Sequence, residues 1–243
     1  YSNNFRFNTP INLPRESDSW HWAHFFNDAS NNSGQGDWIL PETMQRIRDY
    51  MDGLIFYNTV PKKSDPKRWE DGYGQANDNI DYYKVFYDTL TFEQEHNISA
   101  SGGTEKMSFY VSGNFLDQEG KMNWGGDGLK RYNLSGKIDA QLAKWARLGY
   151  NARFARIDYH QPTVMIDDMF FCEIGRQSWP IGPLYDPNGN LYNDHVLRMR
   201  DAGQITQESS DLSQQLYLRL NPFKGWEING EFNYRLQTVF GQE

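Results

Sequence analysis

The 243-residue sequence has a single cysteine, Cys172, so it can close no internal disulfide, and it lacks any run of about eighteen apolar residues, the length a membrane-crossing helix requires. Cationic charge is also scarce. Lys and Arg number 24 against 32 Asp and Glu, giving a formal charge of -8 and a pI near 5.2, which argues against a nucleic-acid surface. Catalytic signatures are missing as well: there is no phosphate-cradling glycine loop, no Ser-His-Asp order and no zinc spacing. Tyr1 is not preceded by a leader or lipidation motif, and Glu243 falls within a strand-like pattern, so the chain is expected to be a piece of a longer polypeptide.

What the sequence does have is rings and alternation. The hydrophobic fraction is only 38% and mean hydropathy is -0.81, yet 15 Tyr, 15 Phe and 8 Trp bring aromatics to 16%. A polar chain this rich in rings suits a membrane barrel, whose lipid face is apolar and whose rims favour Trp and Tyr. Between His96 and Asp139, Met107, Phe109, Val111 and Phe115 take one side of a segment and Ser108, Tyr110, Ser112 and Asn114 the other. This is the two-residue period of a strand.

The same pattern recurs downstream. Tyr132, Leu134, Gly136 and Ile138 oppose Asn133, Ser135, Lys137 and Asp139; Leu148, Tyr150, Ala152 and Phe154 oppose Arg147, Asn151 and Arg153. A clear hairpin follows, with Leu212, Leu216, Leu218 and Leu220 against Ser213, Gln215, Tyr217 and Arg219, then Trp226, Ile228, Phe232 and Leu236 against Glu227, Asn229, Glu231 and Arg235. Such alternation fits a soluble sheet on a core or an outer-membrane barrel, and the period alone does not choose. Arg147 and Arg153 would be costly in a dry core but not in a wet lumen, which favours the barrel. At Arg156 and Ile157 the alternation inverts, and either a bulge or the membrane rim would account for it.

About seven strands are expected, the first at Tyr1 to Asn8. Their connections alternate between short (Gly102 to Glu105, Ala143 to Ala146, Pro222 to Gly225) and long (about 10–92, 117–129 and 160–209), the asymmetry of an outer-membrane barrel. The first long loop should hold a helix from Ser17 to about Asn27, capped by Ser17 or Asp18, and another from Pro41 to Met51. The second should hold a helix from Met165 to Arg176.

The chain also resembles a known family, the SusC-like TonB-dependent transporters of the Bacteroidetes outer membrane. The residues carrying the resemblance are His96-Asn97-Ile98-Ser99-Ala100-Ser101-Gly102-Gly103-Thr104-Glu105-Lys106, then Tyr110, Leu116-Asp117-Gln118-Glu119-Gly120 and Lys130-Arg131-Tyr132-Asn133-Leu134. Four phrases in the same order and at matching distances are far more specific than any one alone. Two departures are Asp28 in Asn27-Asp28-Ala29, where Glu is usual, and Asn79-Ile80-Asp81-Tyr82, which keeps an aromatic but not Trp. The resemblance implies an all-β fold: the N-terminal portion of a large antiparallel transmembrane β-barrel, with long extracellular loops containing short helices, spanning residues 1–243. It further implies a plug domain and remaining strands outside this chain, a SusD-like surface lipoprotein, energy from TonB through the absent plug, and an oligosaccharide or peptide as cargo. No cofactor is implied.

Candidate residues follow from this reading. Trp69, Tyr73, Trp124, Trp179, Tyr185 and Tyr192, in the long loops, are candidates to meet cargo or the lipoprotein lid, or else to pack the loops on themselves. Tyr110, Asn114, Arg153, Tyr217, Arg219 and Arg235 should face the lumen, where many would meet the plug. His21 with His24 lacks a third metal ligand at a readable spacing, and Asp186-Pro187-Asn188-Gly189-Asn190 reads as a turn more readily than as a calcium loop. The carboxylate pairs Asp167/Asp168 and Glu93/Glu95 carry no mark of a glycosidase. A secreted carbohydrate-binding β-sandwich and a passive porin are the rival readings.

Overall fold

Seven strands lie in one antiparallel sheet in strict chain order. They are β1 (Ser2–Asn8), β2 (Thr91–Thr104), β3 (Met107–Glu119), β4 (Gly128–Ala143), β5 (Ala146–Pro162), β6 (Gln204–Leu220) and β7 (Ile228–Gln242). Among the described residues, four α-helices sit in the connections: α1 (Ser19–Asn32), α2 (Pro41–Met51), α3 (Tyr82–Phe86) and α4 (Asp194–Asp201). The computed structural model describes residues 1–87, 90–165 and 174–242. Most of the helix expected from Met165 to Arg176, together with Cys172 and the Asp167/Asp168 pair, lies outside the described residues.

The ladder register sorts the side chains into two faces, because directly opposed residues share a face and alternate positions along a strand do too. One cross-strand row reads Ile98, Gly113, Leu134, Phe154, Leu212, Leu236, and four residues along, on the same face, another reads Gly102, Phe109, Ile138, Tyr150, Leu216, Phe232. The opposite face has the row Ser99, Ser112, Ser135, Arg153, Ser213, Arg235. No second sheet packs on the apolar face among the described residues: Leu134 is 58%, Leu216 41% and Phe232 64% exposed. That removes the β-sandwich, whose inner faces would be covered.

The inversion at Arg156 is not a bulge. β5 pairs without interruption from Ala146 to Pro162 with β6, and the only β4–β5 register shift is at Gln141/Ala143. Instead, the row beyond Arg156 on the apolar face reads Phe5, Gln94, Asp117, Lys130, Asp158, Glu208, Phe240, so β2 to β6 turn polar there while the two edge strands keep phenylalanines, and on the other face Leu116, Ile157 and Val239 alternate with Glu95, Arg131 and Ser209. The five inner strands lose their apolar face at one level, as expected where a wall leaves the hydrocarbon. Below it the apolar band runs from about Ser210 to Leu220 on β6; at roughly 3.4 Å per residue and a tilt of about 40° it is about 26 Å tall, against the ~25 Å band of outer-membrane barrels.

Strand ends differ from the expected ones. β2 continues through Gly102 and Gly103, glycines read from the sequence as turn residues, and the Phe109 ring lies against Gly102 from the neighbouring strand. β5 and β6 rise to Pro162 and Gln204, beyond the band. α1 starts as expected, with the Asp18 side chain accepting from the His21 N–H at 2.9 Å, but runs on to Asn32 because Asp28 to Asn32 stay helical until Gly34 adopts a φ of 79°. α2 matches its expected bounds, with Pro41 in the first turn where its missing N–H costs nothing.

The buried apolar core lies in the loops. Tyr82, Tyr83, Phe86, Met122, Ile174, Val196 and Met199 gather side chains from all three long connections, and Ala23, Ile39, Ile47 and Ile181 form a second cluster. The long connections thus fold into one cap at one end of the wall.

Candidate functional site

The cap is held by a few bridging polar side chains as well as by its core. Tyr82, fully buried, donates its hydroxyl to the Gly182 carbonyl at 2.9 Å and accepts from Asn193 Nδ2 at 2.9 Å, while its N–H donates to Glu16 Oε2 at 2.8 Å. Ser19, at the start of α1, donates to the Asp78 carbonyl at 2.5 Å. Burial pushes the Glu16 carboxyl up to about 8; the Tyr82 N–H opposes this and nearby Asp81 adds to it. Burial likewise raises Asp78, against hydrogen bonds from Asn79, Asn58 and Tyr50.

A pocket of about 300 Å³ opens between the two longest loops, lined by Arg68, Asp71, Tyr73, Trp179, Tyr192 and His195 among others. It lies at the lower end of the ~300–1,000 Å³ usual for small-molecule sites. Tyr73 and Trp179 meet with ring centroids 4.8 Å apart, and Trp179 also touches Trp22 at 4.9 Å and Phe26 at 5.0 Å. Phe26 in turn meets Trp38 at 6.0 Å. The result is a continuous string of rings from the pocket to the exposed Trp38.

His195 forms the pocket floor at 3% exposure. Its Nδ1 lies 2.5 Å from an Arg198 guanidinium nitrogen and its Nε2 is 3.1 Å from the Tyr73 hydroxyl. A guanidinium only donates, so Nδ1 accepts from Arg198, while Nε2 faces the Tyr73 oxygen with Asp194 Oδ1 3.7 Å away. Tyr192 donates to the Trp69 carbonyl at 2.7 Å, and Lys62 pairs with Asp71 at 2.7 Å. Arg68, Asp71 and Asp194 give the lining charges of both signs.

The structure therefore brings Tyr73, Trp179 and Tyr192 together, with Trp69 behind them. Trp124 lies apart: it packs against the first core cluster and its indole N–H donates to the Val85 carbonyl at 3.2 Å. Tyr185 is exposed beside the Asp186 turn, where the Asp186 carboxylate accepts from the N–H groups of Asn188 and Asn190 at 2.9 and 2.8 Å. That carboxylate closes the turn. His195, Trp22 and Trp38 were not singled out from the sequence, although Asn193 before Asp194 is a readable cap residue, and it does accept from the Val196 N–H at 3.0 Å.

Tyr110, Asn114, Arg153, Tyr217, Arg219 and Arg235 all fall on the polar face of the wall. Several are tied within that face. Arg147 and Tyr217 both bond Asp139, Arg235 pairs with Asp211 at 2.5 Å, and Asn114 donates to Glu95 at 2.9 Å and Asn97 at 2.6 Å. Arg153 is exposed among serines, with no polar partner among the described residues, and shallow depressions open on either side of it. Glu93 and Glu95 both take Arg6, so this pair is part of the wall network. His21 bonds Asp18 while His24 lies 4.4 Å from Trp20 by ring centroids. No group of three metal-ligating side chains is gathered among the described residues.

No family model matches the chain. It is similar to TonB-dependent receptor P39 of Formosa agariphila, 25% identical over 222 residues that cover 79% of this chain and 20% of that protein. In fold it is similar to the RagAB peptide importer in its closed-closed state, with a TM-score of 0.62, 16% identity, and coverage of 98% of this chain and 27% of that one. A second RagAB peptide transporter structure gives the same TM-score and covers 28% of its chain. The chain thus spans about a fifth to somewhat over a quarter of the length of these proteins. Sequence and fold agree with the resemblance to SusC-like TonB-dependent transporters, and the sheet is a section of the wall of an outer-membrane β-barrel.

Proposed function

We propose that the protein works in the active import of an oligosaccharide or peptide across the outer membrane, as the barrel component of a SusC/SusD-type complex energised by TonB. The observation that carries this is the pairing of a two-faced wall with a folded cap holding an aromatic-lined pocket at one end. A wall with a wet inner face encloses a passage, and the cap gives that passage a selective mouth. Unpaired ladder edges on β1 and β7 call for further strands to complete the barrel, since lipid satisfies no backbone group.

In this reading Tyr73, Trp179 and Tyr192 contact cargo, while Trp69, Trp124 and Tyr185 hold the mouth or meet a lipoprotein lid. The exposed Arg153, with Tyr110 and Arg219, faces a plug filling the lumen. TonB acts on that plug. The RagAB structures concern a peptide importer, so peptides stand beside glycans as cargo. The likeness to a TonB-dependent receptor favours this reading over a passive porin.

The test is a binding titration of the intact complex against a panel of glycans and peptides, coupled to uptake by whole cells. Trp179→Ala and Tyr73→Ala should each weaken cargo binding by roughly tenfold, the ~1 to 2 kcal/mol typical of a lost ring contact. Uptake that continues undiminished without TonB would end the proposal.

A further inference from the structure

The three short turns share a feature that import does not use. Glu105-Lys106, Lys144-Trp145 and Phe223-Lys224-Gly225-Trp226 join β2–β3, β4–β5 and β6–β7, and each presents one exposed lysine. Lys106, Lys144 and Lys224 make no ion pair among the described residues. The opposite rim behaves differently: Arg156 is bound to Asp158 at 2.8 Å and Glu208 at 2.7 Å, and Lys130 lies 3.7 Å from Asp117. Arg156 and Lys130 at the cap rim have acidic partners, whereas the three turn lysines have none among the described residues.

The turns are also fixed side by side. The Gln141 N–H donates to the Lys106 carbonyl at 2.7 Å, and the Asn221 N–H to the Trp145 carbonyl at 2.7 Å. Successive hairpins therefore sit two strand spacings apart, roughly 10 Å, which is about one Debye length in ~0.1 M salt, so the three charges act on a common surface. Trp145 (53% exposed), Trp226 (64%) and Phe223 (72%) lie beside them, the ring types that settle at a headgroup boundary. Two carboxylates oppose them locally, Glu105 and Glu227, and Glu227 accepts from Asn229 at 2.8 Å.

We infer that this rim is a docking comb for anionic phospholipid headgroups, with the three lysines meeting headgroup phosphates while the neighbouring rings sit at the boundary between headgroups and acyl chains. Because short turns of such barrels face the periplasm, the lipid is that of the inner leaflet of the outer membrane. The inference rests on the barrel reading above.

The experiment uses the full-length protein in vesicles of phosphatidylcholine with or without phosphatidylglycerol. Flotation with the vesicles tests the barrel reading, and dependence on phosphatidylglycerol tests this inference. Wild type should gain thermal stability with phosphatidylglycerol and retain it after mild detergent extraction, in a salt-sensitive way. Lys106→Gln, Lys144→Gln and Lys224→Gln should each lower retention by roughly fivefold, and the triple variant should lose the stability gain. Lys67→Gln, in the cap, should behave as wild type, and inorganic phosphate should not replace the lipid. Equal phosphatidylglycerol retention by the triple variant and wild type overturns the proposal, as does a stability gain from free phosphate alone.

Discussion

At the scale of single residues, Tyr82 and Glu16 decide how firmly the cap is closed. Tyr82 joins the two long loops through Gly182 and Asn193, both bonds made inside an apolar cluster. Tyr82→Phe keeps the ring but strands a buried carbonyl and an amide, a loss of about 1–3 kcal/mol in the local stability of the cap. Limited proteolysis of the full-length protein should show the 163–203 loop cut at correspondingly lower protease, with the strands unaffected. Glu16 gives the cap a pH dependence. Its carboxyl ordinarily titrates near 4.5 and is pushed to about 8 by burial, so between those values the folded cap holds a proton that the open cap has released. Stability is therefore greatest at the acid side of that window and falls as pH rises through it; Asp78, also raised by burial, adds in the same direction. Amide exchange of α3 should quicken, beyond its intrinsic trend, from about pH 5 to pH 8 in wild type and clearly less in Glu16→Gln, where Asp78 alone still contributes. The same dependence in the Gln variant would show that another group is responsible.

At the scale of elements, the wall was legible because a strand writes its two faces into every second residue. The six lumen candidates, the hairpin of β6 and β7 and the alternation of short and long connections all came from that period. The inversion at Arg156 was seen in the sequence and left between a bulge and the membrane rim; uninterrupted β4–β6 pairing there excludes the bulge, and the cross-strand row of Asp117, Lys130, Asp158 and Glu208 shows four adjacent strands turning polar at one height. α3 and α4 were not legible. Helices of 5 and 8 residues do not stand alone in water, and both exist because Tyr82, Phe86, Val196 and Met199 bury one another across loops distant in sequence. His195 was missed for the same reason. The two-faced wall makes a sharp prediction from neighbours on β6. Leu216→Arg sets a charge in the apolar band and should cost about 2–4 kcal/mol, while Gln215→Arg, one position away on the polar face, should cost little. Heat-induced band shifts of the full-length protein in dodecyl sulfate gels should drop for the first and hold for the second. Similar losses in both would mean that the faces are misassigned.

At the scale of the whole molecule, the wall and the cap are stabilised by different means. The wall has a continuous antiparallel ladder and an apolar face that no described residue of the cap covers with a second layer, so its stability depends on lipid or detergent. The cap has two small apolar cores and few long ladders, and its solvent is water. Denaturant acts on these two kinds of stability unequally, and a region with short helices and small cores belongs at the low end of the local-unfolding scale. In the detergent-solubilised full-length protein, rising urea should therefore release the amides of α3 and α4 first, while the centres of β4, β5 and β6 stay protected until the barrel opens. A gate at the mouth of a passage needs that order, because it lets the loops rearrange around cargo without disturbing the wall. Exchange at equal urea in α3 and in the middle of β5 would mean that cap and wall form one cooperative unit, and loop motion alone could not then admit cargo.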